Sequence, residues 1–246
     1  MRSGSESTHH YHSAYEIYYL SSGECKYFIG DRTFDITAGD LVVIPSGTIH
    51  KTNYKSKLHS RMLINFSDEY MPPEIKDAAR GIGYIYRNGR TRRAVERIFE
   101  NIESEYLRAD GISEAALFCY TSELLLLVIR NMSENEVKGG EASLVERAIK
   151  YMKENYMNDV RLCEVARLLS VSAEHLSREF KRASGFGFCE YLTILRLQNA
   201  EFMLKNEPGR SVGAIAYACG FNDSNYFSYK FKQAYGVSPM KIKKSR

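Results

Sequence analysis

The sequence predicts an α+β protein of two domains: an antiparallel β-barrel with following helices over residues 1–130, and an all-α domain over residues 143–246 carrying two helix-turn-helix motifs joined by a long helix. Three observations predict it. Short β-rich runs alternate with turn residues in the first part of the chain, and a helical pattern near the end occurs twice. Between them lies NMSENEVKGGEA, residues 131–142, a polar stretch with a Gly pair that reads as a linker. At 246 residues the chain is long enough to bury two ordinary cores without disulfides or metals.

From Tyr15 to Phe66 the runs YEIYYL, CKYFIG, DLVVIP and SRMLINF are divided by SSGE, GDRT, TAGD and PSGT. β-branched and aromatic runs between such turn chemistries are the pattern of antiparallel strands. After Met71-Pro72-Pro73, residues 91–107 and 112–131 read as helices, with Val95, Ile98, Phe99, Ile102 and Tyr106 at three- and four-residue steps. The second is apolar nearly all round through ELLLLVI. It is expected either to pack on the barrel and against another subunit, or to be buried within one chain. A further helix opens at Ser143, where Glu146 completes a capping box.

The longest apolar run, Leu124 to Ile129, is far below membrane length, so no membrane contact is expected. The start, MRSGSESTHHYH, has no apolar signal region, which makes the cytoplasm the expected location. Cys25, Cys119, Cys163, Cys189 and Cys219 form no C-x-x-C pair and are expected to be small core residues rather than disulfide partners.

Charge is unevenly placed. Residues 143–246 hold 17 Lys and Arg against 10 Asp and Glu, a net +7, while residues 1–142 carry −3. The basic half is therefore the candidate for nucleic acid. Within it EVARLLSVSAEHLSREFKRASG (Glu164–Gly185) recurs as AIAYACGFNDSNYFSYKFKQAYG (Ala214–Gly236). In each copy a short apolar helix with a small residue, Ala166 or Ala216, precedes a polar turn and a second helix, the order of a helix-turn-helix. Leu176 with Phe180, and Phe227 with Phe231, make one face of each second helix apolar, which turns the other face outward. The outward residues are Glu174, Ser177, Arg178 and Lys181, then Ser224, Asn225, Ser228, Tyr229 and Lys232. Arg178 suits guanine and Asn225 suits adenine, and the cations suit phosphates of double-stranded DNA. Residues 187–204 between the copies read as one amphipathic helix of about 27 Å, a spacer suited to major grooves that succeed each other roughly every 34 Å.

These segments resemble the DNA-binding domain of the AraC family of bacterial transcription regulators. The resemblance is carried by IAYACGFNDSNYFSYKFKQAYGVSP, by Arg196 and Ala200 of the connecting helix, and by the closing Gly236-Val-Ser-Pro239. It implies base contacts from Glu174, Ser177, Arg178, Ser224, Asn225, Ser228 and Tyr229 and RNA polymerase as a partner; a homodimer is expected from the apolar second helix, and the regulator is expected to act as an activator or as a repressor. Family members often carry Arg where this chain has Tyr229, so the second helix is expected to hold phosphates more than bases.

In the first half, HYHSAYEIYYLSSG places His10, His12 and Glu16 on one strand face, and GDLVVIPSGTIHKTN places His50 after Pro45 and Gly47. Together these resemble the two cupin motifs, so the barrel is expected to be cupin-like, and His10, His12, Glu16 and His50 are the candidate ligands of a divalent metal. The same residues with Tyr18, Tyr27 and Arg61 are the candidate lining of a pocket for a small-molecule effector such as a sugar or related metabolite. The chain reaches HYH almost at once, so it is expected either to be truncated or to lack a regulatory arm. The leading expectation is a sequence-specific, effector-responsive transcription regulator without enzymatic activity. The alternatives are a metal-dependent cupin enzyme fused to a DNA-binding domain, and a barrel that serves only dimerisation.

Overall fold

The computed structural model describes residues 14–54, 58–67, 71–79, 85–86, 91–131 and 142–244. Strands β1 (Tyr15–Ser22), β4 (Leu41–Ile44), β6 (Ser60–Phe66) and β7 (Ile85–Tyr86) form an antiparallel sheet in the order β6-β1-β4-β7. Strands β2 (Glu24–Ile29), β3 (Arg32–Thr37) and β5 (His50–Tyr54) form a second, in the order β3-β2-β5. A strand-rich part followed by an all-helical part is as expected, but the barrel is not closed. Its sheets face each other and meet through side chains, Tyr18, Leu20, Val42 and Ile44 from one against Cys25, Tyr27, Ile29 and Ile36 from the other.

β1 is buried on both faces because its alternate residues serve two cores. Tyr18 and Leu20 point between the sheets, while Tyr15, Ile17 and Tyr19 point outward onto helices α2 (Arg92–Arg108) and α3 (Ser113–Arg130). There Val95, Ile98 and Phe99 of α2 and Leu124, Leu125 and Val128 of α3 complete the packing, with Tyr19 stacked on Phe99 at 5.0 Å. α3 thus lies on the strands, yet Phe118 and Leu126 on it, with Tyr106, Leu107 and Ile112 nearby, stay exposed. The short helix α1 (Pro73–Ala79) covers the same core through Ile75.

The helical half begins with α4 (Leu144–Asn155), whose capping box of Ser143 and Glu146 is present as the sequence predicts. The first helix-turn-helix is α5 (Leu162–Leu168) and α6 (Ala173–Ser184); the second is α8 (Val212–Ala218) and α9 (Ser224–Tyr235). Their turns are built alike. Val171 N–H donates to the Ala166 carbonyl, and Phe221 N–H to the Ala216 carbonyl, both at 3.0 Å. The preceding residue has positive φ in each, Ser170 at 59° and Gly220 at 83°. At Gly220 a Cβ would lie 2.5 Å from the Tyr156 carbonyl oxygen, so glycine is required there by space as well as by conformation.

Between the units runs α7 (Phe188–Asn206), and it differs from the amphipathic helix expected. Phe188, Tyr191, Leu192 and Leu195 enter the core of the first unit, whereas Leu197, Ala200 and Leu204 enter that of the second. At about 100° per residue, Leu195 and Leu197 point roughly 200° apart, so the buried stripe changes sides midway along the helix. α10 (Pro239–Lys244) closes the second unit, with Ile242 against its core.

The helical half docks on the outer face of β3-β2-β5. Phe28 packs edge-on against Phe186 at 6.2 Å and Tyr191 at 6.1 Å. Around this contact the Thr33 hydroxyl donates to the Ala183 carbonyl at 2.9 Å, Lys51 Nζ to the Gly185 carbonyl at 3.0 Å, and the Tyr191 hydroxyl to the Gly30 carbonyl at 2.7 Å. Lys153 and Asp31 add an ion pair at 3.3 Å. The expected linker lies almost wholly outside the described residues.

The cysteines correct the sequence expectation. Cys25 and Cys219 are buried, but Cys119, Cys163 and Cys189 are exposed, because each falls on the outward side of its helix. Burial pushes the Cys219 thiol up to about 11. A thiol-reactive chromophore at pH 8 should therefore modify three cysteines quickly, and all five only after denaturation; rapid reaction of five in the native protein would contradict the burial. Gly220→Ala should lower stability by about 1–3 kcal/mol through strained backbone and the Tyr156 clash, read as a reduced midpoint in thermal unfolding; an unchanged midpoint would rule that contact out.

Candidate nucleic-acid interface and ligand site

α6 and α9 are set as readers by their own sequences. Leu176, Phe180, Phe227 and Phe231 are fully buried, so the opposite faces must point away from the core. Glu174, Ser177, Arg178, Asn225, Tyr229 and Lys232 are exposed, and Ser224 and Ser228 are half-buried. Each helix has a capped start. The Ser172 hydroxyl accepts from His175 N–H at 3.1 Å, and Asp223 accepts from Asn225 and Tyr226 N–H at 2.6 and 3.0 Å. Hydrogen bonds from its own backbone N–H and from Ser172 hold the Glu174 carboxyl below the usual carboxylate range, keeping an acceptor at the start of the first reader.

The predicted contacts are not equally available. Arg178 Nη2 lies 3.2 Å from His175 Nδ1, which steers the guanidinium, and His175 was not among the expected residues. Ser228 gives its hydroxyl proton to the Ser224 carbonyl at 2.8 Å. The Tyr229 hydroxyl accepts from Gln233 at 2.8 Å, and the Lys230 ammonium lies 5.7 Å and 5.9 Å from the Tyr226 and Tyr229 ring centroids. α9 therefore presents an aromatic and cationic surface in place of a single guanidinium. Lys181 lies at the far end of α6, 4.0 Å from Glu190, and faces the strands as well as solvent.

The spacing of the readers is fixed by α7, which spans 19 residues and so about 28 Å. Arg196 donates to the Tyr156 carbonyl at 2.8 Å and the Asn158 carbonyl at 2.7 Å, tying α7 to the loop after α4. The Tyr235 hydroxyl donates to the Leu197 carbonyl at 3.2 Å, tying α9 to α7.

Between the sheets, the described candidate effector residues converge. The Tyr27 hydroxyl donates to Glu16 Oε1 at 2.6 Å, and His50 Nε2 lies 3.6 Å from Glu16 Oε2, with both side chains buried. Burial, then the Glu16 carboxylate, pushes the Tyr27 phenol well above its usual range. Tyr18 meets Tyr27 edge-on at 5.1 Å and donates to the Tyr54 hydroxyl at 3.3 Å, while Arg61 reaches that same hydroxyl from the rim. Burial raises the Tyr18 phenol too. Tyr54 and Cys25 belong to this line and were not expected, although alternation from His50 and Tyr27 places them on the same faces. His10 and His12 lie outside the described residues. The remaining pair fits a divalent metal in donor chemistry, since the contact of His50 Nδ1 with the Thr48 carbonyl at 2.7 Å directs Nε2 toward Glu16. Among the described residues no cluster of three metal-binding side chains occurs, and no helix is long and apolar enough to cross a membrane.

Comparison with known proteins covers both halves. A helix-turn-helix domain family matches residues 165–245, and the AraC-like ligand binding domain family matches residues 3–118. The Msm operon regulatory protein of Streptococcus mutans is 24% identical over 236 residues, 94% of this chain and 84% of that protein. The HTH-type transcriptional activator RhaS of Escherichia coli is 26% identical over 247 residues, 96% of this chain and 87% of that protein. Among solved structures, the C-terminal domain of AraT, a response regulator from Geobacillus stearothermophilus, is 34% identical; it covers 44% of this chain and 89% of that one, with a TM-score of 0.41. With a ligand-binding family matched across the strands and a helix-turn-helix family across the helical half, the chain belongs to the AraC family of transcription regulators.

Proposed function

We propose that the protein recognises a specific DNA site through α6 and α9 and that a small polar metabolite, of the sugar class, controls this from between the two sheets. The observation that carries the proposal is the pair of capped, outward-facing helices held apart by one buried helix. The effector class follows from the lining: phenols, a carboxylate, an imidazole and a guanidinium alternate donors and acceptors, and tyrosine rings offer faces for a sugar ring. A divalent metal held by Glu16 and His50, with His10 and His12, would supply a Lewis-acidic anchor for effector hydroxyls. The exposed apolar residues of α2 and α3, Phe118 and Leu126 among them, support a homodimer. Activation through RNA polymerase accords with the activators among the relatives. Their being transcription regulators favours this reading over a fused enzyme.

Arg178→Ala should weaken binding to a selected operator by about 1–3 kcal/mol and relax preference at one base pair, while Lys232→Ala should weaken all sequences alike. Fluorescence anisotropy on specific and scrambled duplexes reads both; unchanged affinity in the two variants would contradict the assigned faces. A sugar that raises the melting temperature of the native chain should lose that effect in Tyr27→Phe, because a ligand stabilises only in proportion to its native-state binding. A full shift in this variant would place the effector elsewhere.

A further inference from the structure

A cavity lies where the two halves meet. Between β2, β5 and the end of α6 is a cavity of about 300 Å³, at the lower end of the roughly 300–1,000 Å³ usual for small-molecule sites. Lys26 and Lys51 enter from the strands, Lys181 and Arg182 from the helix, and no carboxylate belongs to its lining. Glu190 and Glu179 approach Lys181 and Arg182 from outside, at 4.0 Å and 2.5 Å, and Asp35 lies opposite Lys26 across the β2–β3 ladder, so Lys51 supplies the excess positive charge. Asn53 adds an amide group, and Phe28 is the one large apolar side chain in the lining.

Lys51 is the centre of this arrangement. Its ammonium donates to the Gly185 carbonyl at 3.0 Å and sits 4.9 Å from the Phe186 ring centroid. Burial, and then the neighbouring Lys181, pull its pKa below the ordinary lysine value, against the opposing effect of Glu190. Like charges gathered in a partly desolvated cleft are stabilised by a polyanion between them.

We infer that this cavity binds a phosphorylated small metabolite, its phosphate held by Lys26, Lys51 and Lys181 and its hydroxyls met by Asn53. The walls are too polar for an acyl tail, and the cations are too many for a neutral sugar. The site is separate from the Glu16, Tyr27 and His50 line, which faces the other side of the same strands. A ligand here touches sensor and reader together, and so favours their docked arrangement over any other.

The test is calorimetric titration of the full chain with inorganic phosphate, glucose 6-phosphate and dodecanoate, at constant ionic strength set with chloride. Both phosphates should bind saturably, glucose 6-phosphate the tighter, and each should weaken about tenfold in Lys26→Met, an exposed strand position whose change leaves the core intact. Lys51→Met should show at least the same loss. Absence of saturable phosphate binding overturns the inference, as does binding unaltered in both variants. Lysine-dependent binding of dodecanoate without phosphate binding overturns it too, since the cations would then serve an acyl carboxylate.

Discussion

Helix α7 belongs to two cores at once, and the rest of the helical half takes its geometry from that. Tyr191 and Leu192 are committed to the first helix-turn-helix, Ala200 and Leu204 to the second, so the two units cannot change spacing without emptying one core. Removing a large side chain from such a core costs about 2–5 kcal/mol, far more than any one surface contact contributes. Arg196 then fixes the helix against the α4–α5 connection through two carbonyls, and Gly220 lets the second turn come up against the same Tyr156 carbonyl. A rigid separation between readers is what a duplex with a fixed groove repeat rewards.

The same helix reaches the strands. Its Tyr191 packs on Phe28 and donates to Gly30, so a change in β2 is felt at the base of the first reader. Strand alternation gives this a specific form: Tyr27 points inward to Glu16 while Phe28 points outward to Phe186, and His50 points inward while Lys51 reaches Gly185. An effector that shifts the β2 or β5 backbone at Tyr27 or His50 moves their outward neighbours with it. Coupling of this kind has magnitude only if the effector binds the docked and undocked arrangements unequally.

Much of this was legible in the residues. The internal repeat located both helix-turn-helix units, because Ala166 and Ala216 are each followed by a turn that needs the same hydrogen bond back to their carbonyls. Inward alternation gathered Glu16, Tyr18 and Tyr27, since parity is a local property of a strand. The open edge between the sheets was not legible, because closure depends on pairing between strands far apart in sequence. β3 was hidden by its polar alternation, Arg32, Thr33 and Asp35 interrupting Phe34 and Ile36. α7 was misread as amphipathic because each half of it carries its own apolar stripe, and only the packing shows that the two stripes face opposite sides. Lys181 counted as a DNA contact by helix position, and only the docked strands reveal that it also faces Lys51. The interdomain contact had no signal: Phe28 looks like any strand aromatic until its partner is known.

Two readers acting on one duplex at a fixed separation are the centre of this mechanism. Hydroxyl-radical footprinting of the full chain on a fragment recovered by genomic selection measures this directly. Protection is expected over two successive major grooves on one face of the DNA, about 10 base pairs apart, for each bound DNA-binding half. Protection of a single groove, or of no defined position, would contradict it.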